Sequence, residues 1–416
     1  MLLTTLSKLP EQEKITLRES YRVGDLYQVE TATEQTGVLD TIPDPQQPNL
    51  PKRLAKTGKA KSQYVEKVLS LDSERLASKT IRRYSILEAE QTIGSDVTQA
   101  RLRRSIQHIV LDRGSQAVTF SPDGPLLLGE LEQARTDIYL PRLAGLLPNS
   151  TVSQGDSWKV SNPAILELTD LQQIQTGSLE CTLTKIEDGQ AIIRFSGQVS
   201  GTTPMGSNQQ TIQGHYRFDI KLQKIISLQF EVTSLLRDKQ QKQVGDITAK
   251  FQLTRQFAGL QEIDGSRLKL EPDEDNTLLL VQEPRLGLEL VHSRRWVPRP
   301  VNDKSWIIDG PSGSGLTIQF EPAQNIPAGE SVRKQIESTL MRAADRLKPL
   351  PDPPSFGDTV RYSWSGSQNG KEFVFEYYLW KQGSRGAIIA GRYFAPEAGL
   401  AIKDAERMIK SLKLAQ

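Results

Sequence analysis

The amino-acid sequence predicts an α+β protein of two domains, a large antiparallel β domain followed by an α/β/α sandwich with a central antiparallel sheet. Residues 1–257 carry successive runs in which apolar and polar residues alternate, as in a sheet with one solvated face. Residues 258–283 are acidic and rich in turn-forming residues, which predicts a linker. Residues 284–416 contain strands, a helix, a three-strand meander and a last helix, an order typical of helices packed on an antiparallel sheet. We therefore expect a curved sheet or half-barrel in the first domain and a sandwich in the second.

The first domain contains several segments with the length and composition of strands. In the clearest one, Tyr216, Phe218 and Ile220 alternate with polar residues, which is the period of two of a half-buried strand. Asp188-Gly189 lies between two of these segments and is a strong hairpin signal. Ile138–Leu147 and Pro163–Gln173 are predicted to be short helices or loops. The predicted strands are Tyr21–Val29, Ile81–Ile93, Ile106–Phe120, Gly177–Ile186, Gln190–Val199, Gln209–Leu222, Ser227–Leu236 and Gly245–Phe257.

Residues 40–62 are predicted to be a loop, because four prolines remove backbone hydrogen-bond donors from the first half of this stretch. The region 52–113 is rich in lysine and arginine and could form a phosphate-binding face. Acidic residues are mixed with these cations, and few aromatic residues lie between them. We therefore favour a solvated strand face for this region.

In the second domain, Ser331–Leu347 is predicted to be a helix, because its apolar residues recur at helical spacing. The meander is predicted at Thr359–Ser365, Glu372–Trp380 and Gly386–Phe394, with Asn369-Gly370 in its first turn. Its middle strand is apolar on both faces, as expected for a central strand that is covered on both sides. The last helix is predicted to begin at Pro396.

Residue types that perform covalent chemistry are scarce in this sequence. The three histidines, His108, His215 and His292, are far apart along the chain, so the short-spaced metal motifs of helices are absent. Cys181 is the single cysteine, which excludes an intramolecular disulfide, and it alternates with leucines, which predicts a buried and unreactive thiol. We therefore predict that the protein is not an enzyme and has no catalytic residue, metal site or cofactor.

The charge balance bears on possible partners. The chain has 52 basic and 50 acidic residues and a formal net charge of +2, which argues against nucleic acid as an obligate partner. No apolar run approaches the roughly 18–20 residues of a membrane span. The apolar start, Met1–Leu6, is shorter than the roughly 7–15 residues of a signal-peptide core. The protein is thus either cytoplasmic or shown in a mature or truncated form.

Candidate ligand-binding residues lie near the start of the second domain. Trp296 follows Arg294 and Arg295 and precedes a proline, so it could lie at the mouth of a pocket. His292 shares a strand face with leucines and is also a candidate, although a histidine at the edge of the core, bonded to backbone, is the more common arrangement. The glycine-rich loop at residues 310–315 lacks the lysine of a phosphate-binding loop and is predicted to be a flexible hairpin loop.

Two stretches resemble known families. The segment Val152–Trp158, preceded by Leu146-Leu147-Pro148, and the later Gly214–Asp219 resemble segments of uncharacterised, β-rich exported bacterial proteins, over about residues 20–257. Pro284–Leu290 with His292–Trp296 resembles the opening of domains with a PsbP-like fold, over about residues 284–416. These resemblances imply an accessory or binding module outside the cytoplasm, in the periplasm or cell envelope. Neither family has an established catalytic residue, so none is carried over to this chain.

Three functional hypotheses follow. The first is a non-catalytic extracytoplasmic binding or scaffold protein, whose partner is an unknown protein or small apolar ligand. The second is a carrier of an apolar ligand in the β domain, which predicts a cavity of about 300–1,000 Å³ there. The third is a hydrolase that uses two carboxylates, which predicts a cleft holding two acidic side chains at about 5–9.5 Å. The sequence leaves the ligand and the oligomeric state open.

Overall fold

The computed structural model describes residues 14–40, 53–114, 117–265, 268–327 and 330–414. The chain divides into two compact units. The first unit contains the residues up to Asp123 together with Gly129–Pro272, and the second contains Gly124–Leu128 together with the residues from Asp273 onward. The division between residues 272 and 273 falls inside the acidic stretch 258–283.

The elements up to residue 172 are, in chain order, β1 (Lys14–Thr16), β2 (Leu26–Asp40), β3 (Arg53–Leu71), β4 (Ala77–Ile93), β5 (Asp96–Arg101), β6 (His108–Asp112), β7 (Thr119–Phe120), β8 (Leu126–Leu127), α1 (Leu128–Thr136), a 3₁₀ helix (Leu140–Leu146), β9 (Thr151–Ser153), β10 (Ser157–Lys159) and α2 (Asn162–Leu168). Five long strands follow: β11 (Gln173–Glu187), β12 (Gln190–Thr203), β13 (Gly206–Asp219), β14 (Lys224–Arg237) and β15 (Gln243–Gln256). Within the described residues, twelve of these strands form one antiparallel sheet, in the order β10-β11-β12-β13-β14-β15-β2-β3-β4-β6-β7, with β5 paired to β4.

One face of this sheet is covered by residues 133–172 other than strand β10, and we call these residues the covering segment. Alternate residues of β13 are buried, among them Tyr216 and Phe218. The Tyr216 hydroxyl donates a hydrogen bond to the Leu146 carbonyl oxygen at 2.9 Å, and the Trp158 indole N–H donates to the same oxygen at 2.8 Å. The covering segment is therefore fixed to the sheet by both apolar burial and hydrogen bonds.

The elements of the second unit, after β8, are β16 (Leu279–Glu283), β17 (Leu288–His292), β18 (Val297–Asn302), β19 (Ser305–Asp309), β20 (Gly315–Pro322), α3 (Glu330–Leu340), β21 (Asp345–Pro349), β22 (Val360–Gln368), β23 (Lys371–Gln382), β24 (Arg385–Phe394), α4 (Ala398–Ser411) and β25 (Lys413–Leu414). Seven strands form an antiparallel sheet in the order β18-β19-β20-β24-β23-β22-β21. Four strands form a second sheet in the order β25-β17-β16-β8, in which β8 and β16 are parallel.

Strand β23 is buried on both faces, because alternate side chains enter different apolar clusters. Tyr378 and Trp380 belong to the cluster that contains the buried residues of α4. Phe373, Phe375 and Leu379 belong to the cluster that contains the buried residues of α3. Each helix thus packs against part of one face of the seven-stranded sheet.

The α+β class and the α/β/α sandwich predicted from the sequence were wrong. The protein is mostly β, with 56% of the described residues in strands and 15% in helices, and its strands form several large antiparallel sheets. The helix predicted at Ser331–Leu347 ends at Leu340, and Asp345–Pro349 is a strand. Apolar stripes located the two helices of the second unit, but single helices of 11 and 14 residues do not form the outer layers of a sandwich.

The loop prediction for residues 40–62 was also wrong over residues 53–62. These residues belong to the 19-residue strand Arg53–Leu71. Residues 41–52 lie outside the described residues. Among the described helices, none is long and apolar enough to cross a membrane.

Candidate ligand-binding cavity

The first unit contains a cavity of about 770 Å³ between its twelve-stranded sheet and the covering segment. The sheet contributes side chains of β2, β3, β14 and β15, among them Phe230, Val232 and Phe251. The covering segment contributes Leu166 and Leu171. The volume lies within the range of about 300–1,000 Å³ that is typical of small-molecule sites.

Cross-strand register explains why the sheet leaves space at this position. Phe230 on β14 pairs with Phe251 on β15, and their ring centroids are 5.0 Å apart. The same row continues through Thr33 on β2 to Ala60 on β3. Directly paired residues share a face of the sheet, so these four side chains lie side by side. The two large aromatic side chains are at one end of the row, and the two small side chains are at the other. We call these four residues the cavity row.

The next row of the same face also contains small residues. Val232 on β14 pairs with Ala249 on β15, which pairs with Gln35 on β2. Gln35 in turn pairs with Gly58 on β3. Two of these four residues have a small side chain or none, so this part of the sheet carries too little side-chain volume to fill the space under the covering segment.

A buried ion cluster fixes the start of the covering segment to the sheet. The Arg82 guanidinium binds Glu66 at 2.5 Å and Asp137 at 3.0 Å, and the side chains of Arg82 and Glu66 are fully buried. Arg82 also donates a hydrogen bond to the Ile138 carbonyl oxygen at 2.9 Å, and the Tyr27 hydroxyl donates to Glu66 at 2.6 Å. The carboxylate of Asp137 lines the cavity.

Burial raises the pKa of Asp137 to about 6. The Arg82 guanidinium opposes this rise, but the nearby Glu66 carboxylate reinforces it. The single cation Arg82 thus faces two carboxylates, Glu66 and Asp137, inside the protein. This excess of negative charge favours the neutral form of Asp137.

A second polar group lies at residues 208–210 and 170. Asp170 accepts hydrogen bonds from the Asn208 side-chain amide at 3.0 Å and from that of Gln210 at 2.5 Å. Gln210 is 2% exposed and lines the cavity, and its Oε1 atom has no hydrogen-bond partner among the described residues. Burial lowers the pKa of the nearby Lys56 amine, and Asp170 opposes that change.

A third polar group contains two arginines and one carboxylate. Arg142 lies 3.7 Å from Glu167, which also accepts the backbone N–H of Tyr139 at 2.5 Å. The guanidinium of Arg113 lies 5.3 Å from the centroid of the Tyr139 ring. Arg113, Arg142 and Glu167 all line the cavity.

No known protein family matches this sequence, and no curated protein matches it. The cyanobacterial PsbP of Synechocystis sp. PCC 6803 is 6% identical, with a TM-score of 0.28 over 33% of this chain and 93% of that one. The Ran-binding protein Mog1p of Saccharomyces cerevisiae is 8% identical, with a TM-score of 0.27 over 33% and 95%. The translocator domain of the autotransporter NalP from Neisseria meningitidis is 7% identical, with a TM-score of 0.13 over 89% and 88%. These likenesses are too weak to define a fold or a function for this chain.

The sequence analysis predicted four ligand-binding residues, His292, Arg294, Arg295 and Trp296. All four lie in the second unit, whereas this cavity is in the first. Trp296 is 1% exposed and donates its indole N–H to Asp404 at 2.8 Å, and Arg295 donates to the same carboxylate oxygen at 2.7 Å. Arg294 donates to the Thr277 carbonyl oxygen at 2.7 Å. Arg294 and Arg295 line a cavity of about 300 Å³, whereas Trp296 is buried beneath the surface. A ligand role for these residues stays a prediction.

The remaining histidines and the cysteine occupy separate environments. His292 is buried, with its Nδ1 atom 2.9 Å from the Ser293 carbonyl oxygen. His108 lies 3.2 Å from Asp123, and His215 is exposed on β13. Burial raises the pKa of the Cys181 thiol to about 12. In the described part of the chain, no three histidine, cysteine or acidic residues are grouped closely enough to hold a metal ion.

The carrier hypothesis predicted a cavity in the β domain, but sequence reasoning named none of the residues that line it. The residues of the cavity row are separated by up to 218 positions, from Thr33 to Phe251, and strand register alone brings them together. The usable signal was the small side chains in β3 and β15, which are unusual for strands that pack against a filled core.

Proposed function

We propose that this protein is a binding protein without chemistry of its own, and that its first unit holds a small, largely apolar ligand. The observation that carries the proposal is the cavity of about 770 Å³ floored by Phe230, Phe251 and Val232. Apolar walls that surround empty space lose the dispersion contacts that a filled core has. A ligand of matching size would restore those contacts, which is the thermodynamic reason for such a site to be occupied.

The polar groups around the cavity fit a site that orients its ligand. Binding sites for small molecules are mostly apolar and have a few polar groups that fix the ligand's position. Here these groups are Asp170 with Gln210 and, in a separate group, Arg113 with Arg142. Buried Gln210 has an acceptor atom without a partner among the described residues, which a ligand hydroxyl or a bound water could satisfy.

A hydrolase that uses two carboxylates is the second candidate, because Asp137, Glu167 and Asp170 line the same cavity. Each of these carboxylates already accepts hydrogen bonds that fix its orientation: Asp137 from Arg82, Glu167 from a backbone N–H and Asp170 from two side-chain amides. Acids held in this way are suited to structural roles. We therefore favour binding over hydrolysis.

The proposal is tested with the full chain and N-phenyl-1-naphthylamine, a neutral apolar probe that fluoresces strongly in dry sites. We expect saturable binding of one probe molecule per chain. Ala249→Trp places a large side chain in the space that the probe would occupy and should weaken probe binding about tenfold or more, which is about 1.4 kcal/mol.

The matched control is Ala55→Trp, the same substitution on an exposed position of β3. This variant should bind the probe as the unchanged protein does. Thermal unfolding and circular dichroism establish that both variants fold. Absence of probe binding by the unchanged protein, or equal binding by both variants, would overturn the proposal.

A further inference from the structure

Arg113, which directly follows β6, is an arginine that lines the cavity without an ion-pair partner. Among the described residues, no carboxylate oxygen lies within 4.0 Å of its guanidinium nitrogens. Its Nε atom is buried and has no hydrogen-bond partner in the same described part of the chain. The side chain packs over the Tyr139 ring, which holds the guanidinium in place.

The buried arginines Arg255 and Arg361 have carboxylate partners: Arg255 binds Glu19 at 2.6 Å, and Arg361 binds Glu376 at 3.0 Å. Arg113 is partly buried. Removing part of the water around a charge costs free energy when the protein supplies no counter-ion. In agreement, burial lowers the pKa of Arg113, and the more distant Glu167 opposes the change only in part.

The charges around the cavity also favour an anion. Asp137, Glu167 and Asp170 are its three acidic lining residues, and each is already held by neighbouring donors. Four cationic side chains line the cavity, one more than the acidic ones: Lys56, Arg113, Arg142 and the exposed Arg135. Lys61 lies on the opposite, exposed face of β3.

We infer that the ligand of this cavity is an anionic amphiphile with a single apolar chain, whose acidic group pairs with Arg113. The apolar chain lies along Phe230, Phe251 and Val232, and the planar guanidinium forms charge-assisted hydrogen bonds with a carboxylate or phosphate. This inference rests on the proposed function, since it names the ligand class of the same cavity.

The test displaces N-phenyl-1-naphthylamine from the full chain with three ligands of equal chain length, namely dodecanoate, dodecyl phosphate and 1-dodecanol. We expect at least one anion to bind about tenfold or more tightly than the alcohol, because a hydrogen bond to a charged group is stronger than one to a neutral group. The relative affinities of the two anions tell a carboxylate ligand from a phosphate ligand.

Substitution of the arginine assigns the effect to this side chain. Arg113→Met should reduce the ratio of anion to alcohol affinity to about one, and Arg113→Lys should keep part of it. Arg217→Met, on an exposed position of β13, is the matched control and should leave the ratio unchanged. If Arg113→Met does not fold, the lysine variant and the unchanged protein still provide the comparison.

The outcomes separate this inference from the proposed function. Failure of the probe to bind the unchanged protein would remove the proposed function. Probe binding with equal displacement by dodecanol and both anions would leave the proposed function standing and overturn the inference. An anion preference that survives in Arg113→Met would also overturn it.

Discussion

At the scale of single residues, Arg82 faces two carboxylates inside the first unit. Its short contact with Glu66 satisfies one negative charge, and the guanidinium must then serve Asp137 as well. Both acids are almost completely shielded from solvent, so water does little to compensate the remaining charge. Asp137 is therefore the acid whose protonation relieves the cluster, and it is also the member that lines the cavity.

The raised pKa of Asp137 predicts a specific dependence of stability on pH. The pKa is about 6 in the folded protein and about 3.9 in an unfolded chain, so between these values the folded state binds more protons. The contribution of this group to the free energy of unfolding is therefore present at pH 4 and is lost as the pH rises through 6. A shift of about two units corresponds to roughly 3 kcal/mol.

Urea unfolding at pH 4, 5 and 6 tests this prediction by comparing the protein with Asp137→Asn, which does not titrate. The variant should gain stability relative to the unchanged protein as the pH rises. Other titrating groups cancel in the difference between the two proteins. Parallel stability curves over this range would show that Asp137 has an ordinary pKa.

At the scale of elements, the sequence predicted two tight hairpin turns but missed one polar strand. The hairpins at Asp188-Gly189 and Asn369-Gly370 were predicted correctly, because all four residues adopt the positive φ values that tight turns require. The strand β3 was missed. Its inward positions near the cavity are Lys56, Gly58, Ala60 and Ser62, which lack the large apolar side chains of a strand that packs against a filled core.

A strand that faces a cavity therefore resembles a loop in sequence. Strand prediction relies on apolar side chains at alternate positions, and these mark burial against other protein atoms. Where the space above the sheet is left open, selection for bulky apolar residues is absent. The small and polar inward residues of β3 leave space for the cavity. For the same reason they give no apolar strand pattern in the sequence.

Two glycines on this sheet should respond differently to the addition of a methyl group. A Cβ atom at Gly58 would meet its nearest neighbour at 3.6 Å, an ordinary contact. A Cβ atom at Gly214 would clash with the Gln229 carbonyl oxygen and lie 2.5 Å from Cβ of Phe230. Gly214→Ala should thus lower the free energy of unfolding by about 1–3 kcal/mol.

Gly58→Ala serves as the matched control and should leave stability unchanged or raise it by up to about 1 kcal/mol, since alanine restricts the unfolded chain. Chemical denaturation of both variants measures the difference. Equal destabilisation by the two substitutions would contradict the register of β13 and β14 in this structure.

At the scale of the whole molecule, the sequence predicted a β-rich protein and, under one hypothesis, a cavity in its first domain, but not the fold class or the residues that line the cavity. Alternation along single strands is local and can be recognised without knowing the pairing partner. The cavity row depends instead on the order β14-β15-β2-β3, which places Phe230 and Phe251 beside Thr33 and Ala60. No local pattern encodes this order, because β2 and β15 are joined in the sheet across about 200 residues of intervening chain.

The environment of Trp296 in the second unit also depends on tertiary contacts. The sequence predicted Trp296 at a pocket mouth because of its arginine neighbours. In the structure its indole is buried and bonded to Asp404, a residue of α4 that no local pattern connects with it. Large aromatic residues beside charges serve core packing as often as recognition, and only tertiary contacts separate the two uses.

Hydrogen exchange of the full chain, with and without saturating N-phenyl-1-naphthylamine, tests the central claim most directly. A ligand that binds the folded state slows exchange of the amides around its site. We predict slower exchange in Lys224–Arg237, Gln243–Gln256 and residues 166–172, with no change in residues 297–394. Unchanged exchange in the first group, or protection confined to residues 297–394, would contradict a ligand site in the cavity of the first unit.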